Sequence, residues 1–278
     1  MLMDVRPGVF SRRDPEGDAP VLFEIPRSGA EYPRDFRSIA ALTDLQRSIS
    51  MYVEEVYAGV VEKGATWLYA HFPNVYIDPN RHELDIDPAQ LDGDWPEELQ
   101  PGPKTKAGMG LIPTICAGTK PLYDAPLPVA EVQKRLSTYY WPYHDEVKRL
   151  LAAFHAQHGV AYHLSCHSMP ALGANGERRS DFDLGDRNGT TCSPELVELI
   201  GSTLKGFGYK VTSNAHFIGA ESVRKHGNPT GGIHSLQIEM NRGLYMDEAA
   251  RTRLPRLAEV REHLAAVAEK VVEFSKAR

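Results

Sequence analysis

The sequence is short of paired cysteines, of basic excess and of long apolar runs, and each shortage removes a class of protein. Cys116, Cys166 and Cys192 are odd in number, scattered and without CxxC spacing. They therefore suggest neither a disulfide scaffold nor a cysteine metal site, and they read as reduced thiols of a cytoplasmic protein. Acidic residues outnumber basic ones, 37 to 31, for a formal charge of −6. That balance argues against a nucleic-acid or anionic-membrane surface, which needs basic charge. No apolar stretch approaches the roughly 18 to 20 residues of a membrane-spanning helix. The opening MLMDVRPGVFSRRDPEGD has no apolar core between its charges, so no secretory signal is expected there. Of the 11 histidines, none stands in HExxH or any other compact ligand spacing.

What is present is globular. The 278 residues are 42% hydrophobic and 24% charged, enough for a substantial core. Residues 1–19 carry no periodicity and read as a flexible arm; 20–278 read as a single domain. Strands are expected over 21–26, 66–70, 74–78, 160–166 and 209–213, and in a run that ends at Glu239. Helical spacing covers 43–63, with Thr43 as N-cap, and 129–158, where Pro142 should kink or divide the helix. A third helix starts from Ser193 and Pro194, and a fourth runs from about Asp247 with an interruption near Pro255. The polar, Pro- and Gly-rich stretch 79–128 lacks periodicity, and loops of that length tend to be functional. It is expected to fold over the face where the strands end. Strands alternating with helices predict an α/β fold with a mixed, mostly parallel sheet flanked by helices.

The expected strands end in polar residues. The first is followed by Arg27 and Ser28, the third by Asn80 and Arg81. In 160–166 the alternation sets His163, Ser165 and His167 on one face, and in the last strand it sets Ser235, Gln237 and Glu239 together. Parallel strands put their carboxyl ends on one side, where open α/β sheets bind ligands. Arginines there would fork a carboxylate, with Asn80 adding a hydrogen bond. Glu239 would activate water if a cation polarised the scissile carbonyl. That set suits a small anionic substrate and a hydrolytic step. Against it stand plainer readings: Glu239 paired with Arg242, Arg81 paired with Glu83 or Asp85, and His167 as a buried imidazole. DFDLGDRNG, residues 181–189, places Asp183, Asp186 and Arg187 in a turn, and Arg187 is a further candidate anion ligand. The cluster of Trp141, Tyr143 and His144 reads as core.

Taken in order, IPRSGAEYP, IDPNRHELDIDP, YYWPYH, SCHSMP, DFDLGDRNG and GIHSLQIEMNRGLYMDE resemble the N-formylglutamate amidohydrolase family over nearly the whole chain. The resemblance implies a zinc-carboxypeptidase-like architecture with one zinc at the strand ends. It also implies hydrolysis of N-formyl-L-glutamate to formate and glutamate in histidine catabolism. By position, Asn80 and Arg81 would bind the substrate carboxylate, Glu239 would be the general base and His167 a zinc ligand. The pattern departs elsewhere. Arg27 stands where many relatives carry a histidine ligand, an expected acidic pair falls near Ile49 and Ser50, and Ser165 replaces an aspartate. A lone imidazole cannot hold zinc, which takes at least three protein ligands. Three outcomes stay open: a site rebuilt with His163, His216 or Glu221, Arg27 acting as the electrophile in place of a metal, or a non-catalytic binder of an anionic amino-acid derivative.

Overall fold

The structure, a computed structural model, describes residues 2–277. Eight strands form its main sheet: β1 (Leu2–Arg6), β2 (Phe10–Asp14), β3 (Val21–Ile25), β4 (Thr66–Ala70), β5 (Ala161–Met169), β6 (Phe182–Gly185), β7 (Val211–Ser213) and β8 (Ile233–Asn241). Their spatial order is β1-β2-β4-β3-β5-β8-β6-β7. The pairs β3/β4, β3/β5, β5/β8 and β6/β7 are parallel; β1/β2, β2/β4 and β6/β8 are antiparallel. The α/β class and the mixed, mostly parallel sheet are thus as expected. The expected arm is not: residues 2–14 form a hairpin that extends the sheet through β4. Short alternating segments without a long apolar run carry too little periodicity to reveal an edge hairpin.

Alternation decides what each face buries. Phe23, Leu164, Cys166, Leu236, Ile238 and Met240 point to one face. There they meet α2 (Val53–Val56), α5 (Pro194–Gly206) and α7 (Leu257–Lys276) through Val53, Leu196, Ile200, Val260, Leu264 and Val271. On the other face, Leu22, Leu68 and Ala161 pack against α4 (Trp141–His158) through Tyr143, Val147 and Leu151. Between these apolar regions, β3, β5 and β8 turn Glu24, His163, Ser165, His167, Ser235, Gln237 and Glu239 into a buried polar seam.

Three elements differ from the periodicity. The helix expected over 43–63 breaks after α1 (Leu42–Arg47), resumes as α2 and ends as a 3-10 turn over Ala58–Lys63. The cause is competition for its carbonyls. Arg242 donates to the carbonyls of Arg47 and Ile49, both at 3.1 Å, and Ser28 Oγ takes that of Ser50 at 2.6 Å. Thr43 lies inside α1, whose cap is Ala41. The strand expected over 74–78 is a buried turn, because its Asp78 amide bonds the Leu111 carbonyl of the long loop rather than a sheet. The last helix starts only at Leu257; residues 246–253 form the short ribbon Met246–Asp247 with Thr252–Arg253. The run expected over 129–158 is divided next to Pro142: α3 (Val129–Arg135) passes through a π turn over Leu136–Tyr140 into α4, and the missing N–H of Pro142 falls in the first turn of α4. The cysteines are free and buried. Among the described residues no helix is long and apolar enough to cross a membrane.

The loop after β3 reaches its position only because residue 29 is glycine. A Cβ there would stand 2.2 Å from the Phe72 carbonyl oxygen and 2.5 Å from that of His71, both backbone atoms. Gly29→Ala should therefore cost about 1–3 kcal/mol, as overpacking does. An unfolding midpoint equal to that of the parent in urea would show that the loop relaxes freely instead.

Candidate active site

The carboxyl ends of β3, β5 and β8 open into a cavity of about 680 Å3. Arg27 follows β3, Ser168 and Met169 end β5, and Glu239 lies near the end of β8; all four line the wall. The break after α1 adds Ser48, Ile49 and Ser50, and the long loop adds Met109, Pro113 and residues 115–118. Arg47, Asp78, Arg242, Glu248 and Arg251 complete the charged part of the wall.

Two charged groups face the cavity from its inner end. Arg27 Nη2 lies 3.4 Å from Asp78 Oδ2, and Asp78 is 1% exposed. Asp78 is held in turn by the Asn80 amide, which donates to its Oδ1 at 3.0 Å. Glu239 is 5% exposed, and its Oε1 accepts from Gln237 Nε2 at 2.9 Å. Burial pushes its carboxyl up to about 7, against the opposing pull of Arg27 and Arg242. The Asp183 carboxylate, opposite Glu239 on β6, pushes the same way as burial. A carboxyl that ionises near neutrality beside a fixed guanidinium can take a proton and return it.

Glu239 does not use Arg242 as an ion-pair partner. Arg242 spends its donors on Ser168 Oγ and on the carbonyls of Arg47 and Ile49, and its carboxylate neighbour is Glu248 at 3.8 Å. It therefore acts as a clamp that shapes the wall.

The structure brings Arg27 and Glu239 to the same wall and sets the other sequence candidates behind or away from it. His167 is 1% exposed. Its Nε2 accepts from Asn80 Nδ2 at 3.2 Å and lies 3.1 Å from Ser165 Oγ. Burial, then the charge of Arg27, push its pKa down to about 3. Asn80 is spent inside: Oδ1 accepts from the Ser222 amide at 2.8 Å, and Nδ2 also reaches Gln237 Oε1 at 3.3 Å. Arg81 bonds the carbonyls of Met109 and Asn80, with Asp78 at 4.0 Å, and burial lowers its pKa. Its carboxylate neighbour is thus neither Glu83 nor Asp85. Asp183 lies in β6 itself, not in a turn, and accepts from the amides of Ala215, His216 and Phe217. Arg187 follows β6 with φ +53° and bonds the Gly219 carbonyl at 3.1 Å, outside the cavity wall.

The residues fit a zinc ion poorly. Among the buried unpartnered atoms of a kind that binds zinc are His167 Nδ1 and Glu24 Oε1. Among the described residues His167 belongs to no group of three His, Cys, Asp or Glu donors close enough to share an ion. Where a further ligand would stand there is a guanidinium, which repels a cation. Among the described residues one group, His82, Glu83 and Glu221, has donor atoms within 4.8 Å of one another and could coordinate a metal. Both of its carboxylates are already engaged, Glu83 with Lys225 at 2.7 Å and Glu221 with Arg224 at 2.6 Å. His163 is committed to Glu24 and Ser235, and His216 accepts from the Ser180 amide.

Sequence reasoning passed over Asp78, Arg47 and Arg251, and weighed Arg242 only as an ion-pair partner of Glu239. For Asp78 a signal existed, since a buried arginine needs a nearby carboxylate and IDPNR supplies one. For Arg47 and Arg251 none did, because both reach the cavity through a broken helix and a ribbon turn.

Fold and wall together define an α/β protein whose strand-end cavity pairs a buried carboxyl with fixed guanidiniums. The chain belongs to the N-formylglutamate amidohydrolase family, whose sequence model matches residues 19–246. It is 30% identical over 243 residues to the N-formylglutamate deformylase of Pseudomonas putida, covering 84% of each chain. To that of Pseudomonas aeruginosa it is 29% identical, over 84% of this chain and 85% of the other. Among solved structures it superposes on N-formylglutamate amidohydrolase from Ralstonia eutropha JMP134 with a TM-score of 0.93 at 38% identity, covering 97% and 99% of the two chains. A gene product of Agrobacterium tumefaciens shares the fold, with a TM-score of 0.70 at 19% identity over 96% of each chain.

The donor set predicts that purified protein, dialysed against chelator and then offered one equivalent of zinc, retains little of it on a desalting column. Stoichiometric zinc by elemental analysis would contradict that reading of Arg27 and His167.

Proposed function

We propose that this chain is an amidohydrolase that cleaves N-formyl-L-glutamate to formate and glutamate, with Glu239 as the proton carrier and Arg27 as the electrophile. The observation that carries the reading is the pairing of a buried carboxyl shifted to about 7 with a guanidinium on one cavity wall. Glu239 takes a proton from water as the oxygen attacks the formyl carbon. The carbonyl oxygen gathers negative charge, and Arg27, held by Asp78, stabilises it. The tetrahedral adduct then collapses, the C–N bond breaks, and the protonated Glu239 returns its proton to the leaving nitrogen. Formate and the free amino acid are the products.

The remaining sequence candidates take supporting roles on this reading. Asn80 fixes Asp78 through its amide and Gln237 through its side chain, and so orients both partners of the pair. Arg81 adds positive potential beside Asp78. His167 stays neutral and serves as packing and hydrogen-bond acceptor for Asn80. Arg187 props the loop at Gly219.

Glu239→Gln should reduce formate release by about a hundredfold or more, since a positioned base contributes roughly 10²–10⁴. The base must be ionised, and its pKa is raised, so kcat/KM should climb with pH and level off above about 7. Formate release is the measurement, with and without chelator. Binding of N-formyl-L-glutamate without any formate would sink the catalytic assignment, and a profile flat from pH 5 to 8 would remove Glu239 as the base.

A further inference from the structure

The four guanidiniums on the cavity wall are not equivalent. Arg27 has Asp78 at 3.4 Å, Arg47 has Asp44 at 3.5 Å, and Arg242 has Glu248 at 3.8 Å. Arg251 has no carboxylate within 4.0 Å among the described residues. Its side chain donates to one backbone carbonyl, that of Ala249 at 3.2 Å. An unneutralised guanidinium on a concave wall is a ready partner for a carboxylate, which it can fork.

The position of Arg251 is built with care. It closes the turn between the ribbon strands Met246–Asp247 and Thr252–Arg253. Asp247 Oδ1 accepts from the amides of Ala249 and Ala250 at 2.9 and 2.8 Å, which fixes the start of that turn. Arg251 has φ +57°, a left-handed conformation that costs any residue with a Cβ and persists where the surroundings hold it. What holds it is Tyr52, whose hydroxyl donates to the Arg251 carbonyl at 2.7 Å. Tyr52 is itself left-handed, at φ +67°, and Arg253 lies 4.1 Å over its ring. Two residues in a costly backbone state are thus bonded to each other, and one of them, Arg251, lines the cavity and carries the unpaired charge. A glycine would sit at 251 without strain, so the arginine carries its side chain at a backbone cost.

We propose that Arg251 is the specificity-determining residue of the cavity, receiving the side-chain carboxylate of an acidic N-acyl amino acid. This deepens the amidohydrolase reading and rests on it. The alternatives on the wall are already used: Arg27 serves the reacting carbonyl, Arg242 is spent on backbone carbonyls, and Arg47 has its own acid. Met169, Phe217 and Met246 line the same cavity and suit the methylenes between the two ends of such a substrate. An uncharged side-chain amide would leave the guanidinium unneutralised, so glutamate is favoured over glutamine.

The test is calorimetric binding of N-formyl-L-glutamate and N-formyl-L-glutamine to the parent and to Arg251→Gly, Arg251→Gln and Arg251→Lys, with formate release measured in parallel. The glycine variant suits the backbone and so separates charge loss from misfolding. The expected result is that Arg251→Gly and Arg251→Gln weaken glutamate binding about tenfold or more, as loss of a charged hydrogen bond does. Glutamine binding should change little, KM for N-formyl-L-glutamate should rise by a larger factor than kcat falls, and Arg251→Lys should recover part of the preference. A parent that binds neither compound would overturn this proposal together with the amidohydrolase reading. A parent that hydrolyses both, with its glutamate preference intact in Arg251→Gly, would overturn this proposal alone.

Discussion

The two long central strands each turn a polar face inward, and every atom on that face must find a partner or cost stability. This constraint organises the molecule. His163 reaches Ser235 at 2.7 Å and Glu24 at 3.0 Å, and Ser222 from α6 (Glu221–His226) donates to the same Glu24 oxygen at 2.7 Å. Burial pushes the Glu24 carboxyl up, but these bonds and the charge of His163 outweigh it and hold the group well below the usual range. Further along, Asn80 ties His167, Gln237 and the Ser222 amide into one cluster. The seam therefore ties α6 and the turn after Asp78 to the sheet through hydrogen bonds. Its last member, Glu239, is the one that emerges into the cavity.

Charge at that end follows from the same accounting. Arg27 is only partly exposed, and its acid is the buried Asp78. The pair fills with opposite charges a place where the family resemblance implies a metal. Arg242 contributes in a different way. By taking two carbonyls that would have closed a helical turn, it breaks the helix and turns Ser48, Ile49 and Ser50 into cavity wall. One side chain thus sets both a local fold and the shape of the site.

The sheet and the Glu239 strand were legible because alternation of period two survives in short segments, and because glycines mark their ends. Arg27 and Glu239 were legible for the same reason: each follows or ends a strand whose direction the pattern gives. The broken helix was not. Its apolar spacing is continuous from Leu45 to Val60, and the agents that break it, Ser28 and Arg242, lie far away in sequence. The role of Asn80 was misleading in a similar way. A polar residue at the end of an expected strand reads as a ligand for substrate, yet here the strand is a turn and the side chain is needed inside. Tertiary demand for hydrogen bonds overrode local pattern in both places.

On the proposed reading, replacing a metal by a guanidinium shifts the catalytic burden. A metal lowers the pKa of its bound water, so a weak base suffices to remove the proton. A guanidinium polarises a carbonyl but leaves water nearly as reluctant as in bulk. The base must then be stronger, and a carboxylate becomes stronger only when its charged form is made less comfortable. The site does this by burying Glu239 and setting Asp183 across from it on β6, while Asp78 offsets much of the charge on Arg27. The result is a carboxyl that ionises near 7, close to the limit at which it remains ionised under neutral conditions. A higher pKa would leave it protonated and idle; a lower one would make it too weak a base. The polar seam, the antiparallel β6 and the Arg27–Asp78 pair all act on that one proton.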